Sequence, residues 1–172
     1  MTPMLGFLFP RLTADPKRGE ALFDRAVGIA RSRHWYAEGQ VPDTIDGRFA
    51  ALATVCALLV VRLDAIDEAG GGSAALTERF IEAMDAEHRE LGLNDPGLGR
   101  RVRKLVGLLE RRVDDWQGAT AGDSGWRETT VSSLYRSAEP AEEALRHSEA
   151  ALRDLWERLS TASEDELLAG DF

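Results

Sequence analysis

Cys56 is the chain's one cysteine, so no internal disulfide can help hold the fold. A reducing compartment fits that, as others would. Period-two alternation of apolar and polar residues is missing throughout, which excludes half-buried strands. No internal repeat recurs at solenoid spacing. Positive charge is scarce: 21 Lys and Arg face 30 Asp and Glu, a net charge of −9. A molecule of that sign repels DNA and anionic lipid unless it carries a local basic patch. Uncharged runs are few and short. Phe49 to Val61 spans thirteen residues and is closed by Arg62 and Asp64, too few to cross a bilayer. The start, MTPMLGFLFPRL, has an apolar patch from Met4 to Phe9 but no basic leader before it. It reads as neither a signal peptide nor a span.

What is present suits one globular domain: 172 residues, 44% hydrophobic and 30% charged. Asp15-Pro16 offers a helix start, with Leu22, Ala26 and Ile29 following at helical spacing and Phe23 and Val27 beside them. The pattern fades across SRHWYAEGQ. A second helix starts within PDTIDGRF and runs to about Glu68, buried on most sides. Ser73 is a suitable N-cap for a third, with Leu76, Phe80, Met84, His88 and Leu91 on one side. The fourth, from about Pro96 to Trp116, has the clearest stripe: Leu98, Val102, Leu105, Val106, Leu109, Val113 and Trp116 share one face. A short helix near Glu128–Arg136 follows, then a long one from Glu139-Pro140 with i,i+4 pairs Glu142/Arg146, Glu149/Arg153 and Asp154/Arg158. Ser163 and Glu166 have the spacing of a capping box for a last turn. The expectation is an all-α, single-domain bundle of about six helices over 15–172, preceded by an apolar arm over 1–14.

The chain offers little for catalysis. Asp85 and His88 form half of a Glu-x-x-His type metal motif, but no second half exists, and a helix packing edge explains His88 as well. Glu143 and His147 lack a completing partner in the same way. Cys56 lies inside the apolar run, where burial makes a thiol inert. AGGGS lacks the Gly-Lys-Ser/Thr and the preceding strand of a phosphate loop. No catalytic residue, metal or cofactor is expected. The runner-up class, a helical metal- or isoprenoid-dependent enzyme, would have to use Asp43 and Asp46, which suit helix capping. A generic protein-interaction subunit is the third reading.

Two features invite a binding role. Residues 96–112 carry a net of +5, and residues 139–172 a net of −7. Arg100, Arg103, Lys104 and Arg111 lie opposite the apolar stripe, flanked by Arg101 and Arg112. That face is either solvated balance for the acidic tail or a docking surface for an acidic partner. The second feature is the turn VPDTIDGRF, Val41 to Phe49. Pro42 fixes an extended entry, Asp43 or Thr44 can cap, Gly47 admits a close backbone, and Arg48 can fork onto Asp43 or Asp46.

These blocks resemble the ubiquinol–cytochrome c chaperone family. The matching positions are Trp35 and Tyr36, Val41 to Phe49, Met84, Asp85, Arg89, Glu90, Leu91, Gly92 and Asp95, then Gly99 to Lys104. The likeness is good over 20–117 and looser beyond, and LNDPG departs from the family's Val-Gly-Asp. It implies a non-enzymatic assembly factor for complex III of the respiratory chain, in a bacterial member. In mitochondrial members the client is newly made cytochrome b, and a small partner factor acts with the chaperone near the ribosome exit. The resemblance assigns client or partner contact to Tyr36, Asp43, Asp46, Arg48, Arg89, Glu90, Arg100, Arg101, Arg103 and Lys104. A cytoplasmic protein is expected, with peripheral contact to the inner membrane and a ribosome contact left open.

Overall fold

The computed structural model describes residues 19–67, 69–90, 98–122 and 124–172, with the side chains at 88–90, 98, 99 and 101 set aside. The elements are α1 (Glu20–Ala30), α2 (His34–Ala37), α3 (Ile45–Ile66), α4 (Gly71–Glu90), α5 (Leu98–Thr120), α6 (Trp126–Thr130), α7 (Glu142–Thr161) and α8 (Glu164–Ala169). A π-helical turn, Val131–Tyr135, continues α6. No strand occurs among the described residues. The fold is the expected all-α bundle. Its additional helix is α2, a single turn where the apolar pattern fades. The arm with Met4–Phe9, the start at Asp15-Pro16 and the break through Leu91 to Gly97 lie outside the described residues.

Helix α3 is the axis of the bundle. Every residue from Ala50 to Val60 is buried, and α1, α4, α5, the π turn and α7 all pack against it. Alanines at 50, 51, 53 and 57 let neighbours approach closely, while Leu58, Leu59 and Leu63 fill the space between them. Burial of each such leucine is worth about 2 kcal/mol. By length and composition α3 is apolar enough to cross a membrane, yet 67% of its most apolar window is buried in the bundle. Polar atoms inside are matched: Thr54 donates to the Ala50 carbonyl at 2.7 Å. Burial pushes the Cys56 thiol far above its usual range, leaving it protonated.

The ends of α3 are fixed by side chains. Thr44 is the N-cap, its hydroxyl accepting from the Gly47 amide at 3.1 Å. At the other end the Asp67 carboxylate accepts from the amides of Ala69 (2.9 Å) and Gly72 (3.0 Å). Those bonds hold its pKa below the ordinary carboxylate value. They also start α4 at Gly71, so Ser73, expected as the cap, sits in the first turn and donates to the Gly70 carbonyl instead. Arg62 reaches across to the last turn of α7, donating to the carbonyls of Leu159 (2.9 Å) and Ala162 (3.0 Å). The expected capping box, Ser163 with Glu166, opens α8.

The link from α2 to α3 is tied to the C-terminal half. Tyr135, buried on the π turn, donates to the Gly39 carbonyl at 2.5 Å and shares a 2.7 Å bond with Ser148 of α7. A β-carbon at Gly39 would stand 2.5 Å from the Ser148 hydroxyl. Three residues after Gly39, the Tyr135 anchor, the chain turns at Pro42, and α3 begins at Ile45. A β-carbon at Gly47 would lie 1.8 Å from the Pro42 carbonyl oxygen, a backbone contact no rotamer can relieve. Gly47→Ala is therefore expected to lower stability by roughly 3 kcal/mol or more. Urea unfolding of the purified variant measures it, and a loss below about 1 kcal/mol would contradict this geometry.

Candidate functional site

An open groove of about 1160 Å³ lies between α1, the start of α3, the second half of α4 and the first half of α5. Its floor is apolar: Phe23 and Val27 of α1, Phe49 and Leu52 of α3, Leu105 and Leu108 of α5. Phe49 stacks at a tilt on buried Phe80, ring centroids 5.8 Å apart. Ile45, in the first turn of α3, also lines the groove and is 58% exposed. It is the large apolar side chain most open to solvent among the described residues. The rim is charged. Arg31, Arg33, Arg48, Lys104 and Arg136 stand against Asp24, Asp43, Asp46 and Glu87. The groove is thus slightly cationic on a molecule whose net charge is −9.

Four of the site residues expected from sequence form one wall. Tyr36 donates to the Ala30 carbonyl at 2.8 Å, which fixes its ring along the groove. Burial raises its pKa, and the nearby Arg48 opposes that. Asp43 and Arg48 close on each other at 2.8 Å, and that bond raises the Arg48 pKa. The pair is exposed, so it shapes the corner more than it stabilises it. Asp46 stands 3.9 Å from Arg136. Lys104 joins from α5. Arg100 and Arg103 are exposed on the same helix but do not line the groove. Arg89 and Glu90 end α4 and Arg101 lies in the first turn of α5, their side chains outside the description.

Arg112 departs from the expected basic face. It turns inward, its guanidinium 5.9 Å from the Phe49 ring and donating to the Ser133 carbonyl at 3.3 Å. Meanwhile the C-terminal carboxylates Glu142, Glu149 and Asp154 pair with Arg146, Arg153 and Arg158 as their spacing indicated, and Glu142 also holds Arg127.

Sequence reasoning missed Arg136 as a site residue, and the groove-facing roles of Phe23 and Val27. The two apolar residues carried a signal, since they flank the inward stripe of α1. Arg136 carried none, because its place depends on the π turn. Also missed was the contact of His34 on α2 with His147 on α7, Nδ1 to Nε2 3.1 Å, beside a cavity of about 270 Å³. Among the described residues no group of three or more His, Cys, Asp or Glu side chains gathers. Asp85 is half-buried on α4, and the His88 side chain lies outside the described residues.

The site is thus an open apolar groove with a charged rim on an all-α bundle. The comparisons give that class a family. The family model described as "Ubiquinol-cytochrome C chaperone" matches residues 37–172, most of the chain, with the 41–48 corner inside the match and Tyr36 just before it. The crystal structure of the Cbp3 homolog from Brucella abortus superposes with a TM-score of 0.74 at 27% identity, covering 98% of this chain and 95% of that one. Among curated proteins no sequence match is found. The chain belongs to the ubiquinol–cytochrome c chaperone family, which serves assembly of that respiratory complex.

The histidine contact should make the junction of α2 with α7 sensitive to acid. One ring must donate and the other accept, so at least one stays neutral. Burial first, and His147 second, lower the His34 pKa from 6.5. A lowered histidine pKa means the unfolded chain binds the proton more readily. Its contribution is complete above about pH 6.5 and is lost as pH falls toward the folded value. Wild-type stability should decline over that window. His34→Gln should flatten the decline, as read by denaturation midpoints from pH 7.5 to 5.5, and an unchanged slope would remove His34 as its source.

Proposed function

We propose that this chain is a non-enzymatic chaperone that shelters newly made cytochrome b before it joins ubiquinol–cytochrome c reductase. The groove carries the reading. Its floor offers aromatic and aliphatic surface from α1, α3 and α5 for an apolar helix of the client. Membership of the complex III chaperone family supports a protein client of that assembly route. The corner Tyr36–Arg48 positions the client from one side and Lys104 from the other. The outer cations of α5, Arg100 and Arg103, suit an acidic partner factor bound beside the client. Cytoplasmic action next to the inner membrane follows from a client that must be inserted there, while α3, the one membrane-length helix among the described residues, is occupied as core.

Charge reversal tests the assignment without disturbing the core, since Arg103 and Lys104 are both exposed. Arg103→Glu with Lys104→Glu should keep the wild-type fold and lose roughly tenfold in capture of newly made cytochrome b. Pull-down of the tagged protein from cells gives the readout, with circular dichroism as the control. Capture at the wild-type level would reject this face as the contact. A deletion strain whose membranes keep normal haem-b spectra would reject the function.

A further inference from the structure

Three unusual features meet at one end of the groove. The first is backbone. Arg136 has φ 55 and ψ −101, and the Ala138 amide donates to the Tyr135 carbonyl at 2.8 Å. Arg136 therefore occupies the first central position of a turn of the II′ kind, which glycine fills without strain. An arginine held there costs stability, so its side chain must serve something. The second is the π turn immediately before it, a rare element that sets where Arg136 emerges. The third is Arg112, which lies behind Phe49. Its Nε is buried without a hydrogen-bond partner, its Nη bonds are long at 3.3 and 3.4 Å, and Arg136 adds repulsion that Asp115 opposes. One guanidinium thus lines the end of the apolar groove and a second stands behind its Phe49 floor. Among the described residues the carboxylate paired with the outer guanidinium is Asp46, at 3.9 Å, with side-chain exposures of 50% for Arg136 and 84% for Asp46. That is too far and too wet to satisfy the outer cation.

We infer that the groove selects an apolar helix bearing a single carboxylate, and that this carboxylate displaces Asp46 and seats on Arg136. The inference rests on the groove being the client site. The occupant need not touch the enclosed Nε of Arg112. The Arg112 charge acts through the floor, where low polarity strengthens its field. Binding brings a close anion to Arg136 and removes the exposed, loosely held Asp46 contact. An apolar helix with no acid leaves Arg136 with only that loose contact under a dry cover, which disfavours it. Selection is then for helices that carry a buried acid, a feature that marks functional segments of membrane proteins.

The test uses the full-length protein and two synthetic Leu/Ala helices of about 20 residues, identical except for a central Glu or Gln. Fluorescence anisotropy in mild detergent reads their affinity. The Glu helix should bind wild type roughly tenfold more tightly than the Gln helix. Arg136→Gly should hold its thermal midpoint, because glycine suits the backbone, and should lose the preference. Asp46→Asn should tighten the Glu helix and leave the Gln helix unmoved. Equal binding of the two helices to wild type, a preference that survives Arg136→Gly, or no gain in Asp46→Asn would each overturn the acid selection while leaving the groove as a site. Binding of neither helix would overturn the groove reading as well.

Discussion

The close approach of Gly47 to the Pro42 carbonyl is the constraint on which the rest depends. It lets the chain turn within a few residues from an extended entry into a helix that must run through the middle of the bundle. Every later packing surface is referred to that helix. Helices α1, α4, α5 and α7 are arranged around it, and its own side chains leave little slack, being small where neighbours press and branched where they do not. The corner also decides what faces outward. With Thr44 capping and Asp43 bound to Arg48, Ile45 and Asp46 are turned to the groove rather than to the core.

A second layer of organisation connects distant parts of the chain. Tyr135 on the π turn holds Gly39, and His34 meets His147, so the segment feeding the corner is tied to α7 at two points. Arg62 does the converse, holding the end of α7 from the end of α3. The N- and C-terminal halves are thereby one cooperative unit. The groove wall inherits its rigidity from contacts more than 90 positions away in sequence, not from the exposed ion pairs on its rim.

Much of this was legible from periodicity and local chemistry. The stripe on α5, the i,i+4 charge pairs of α7, the uncharged run of α3 and the Ser163–Glu166 box are local signals, and each sits where its spacing put it. The turn motif identified its own residues as a corner, with Thr44 rather than Asp43 as the cap. Ser73 failed as a cap because Asp67, a longer-range competitor, reached the amides first. The groove was half legible. Tyr36, Asp43, Asp46, Arg48 and Lys104 were named, but nothing in one dimension shows that α1 and α5 bring them to a common cleft. Arg136 and the inward turn of Arg112 were invisible for a stricter reason. Arg136 follows a π turn, which inserts a residue into the helical register and shifts every side chain after it, and Arg112 turns inward to a carbonyl of that same turn, Ser133.

Helix α3 has a further consequence for how the protein is made. Its 22 residues have a mean hydropathy of 2.1 over the most apolar window, so the emerging polypeptide carries a helix greasy on nearly every side before most of its neighbours exist. Helices α4 and α5, the π turn and α7, all translated afterwards, supply the cover. Synthesis therefore leaves an interval in which α3 is open to non-native association, and the length of that interval is set by how soon the following helices dock.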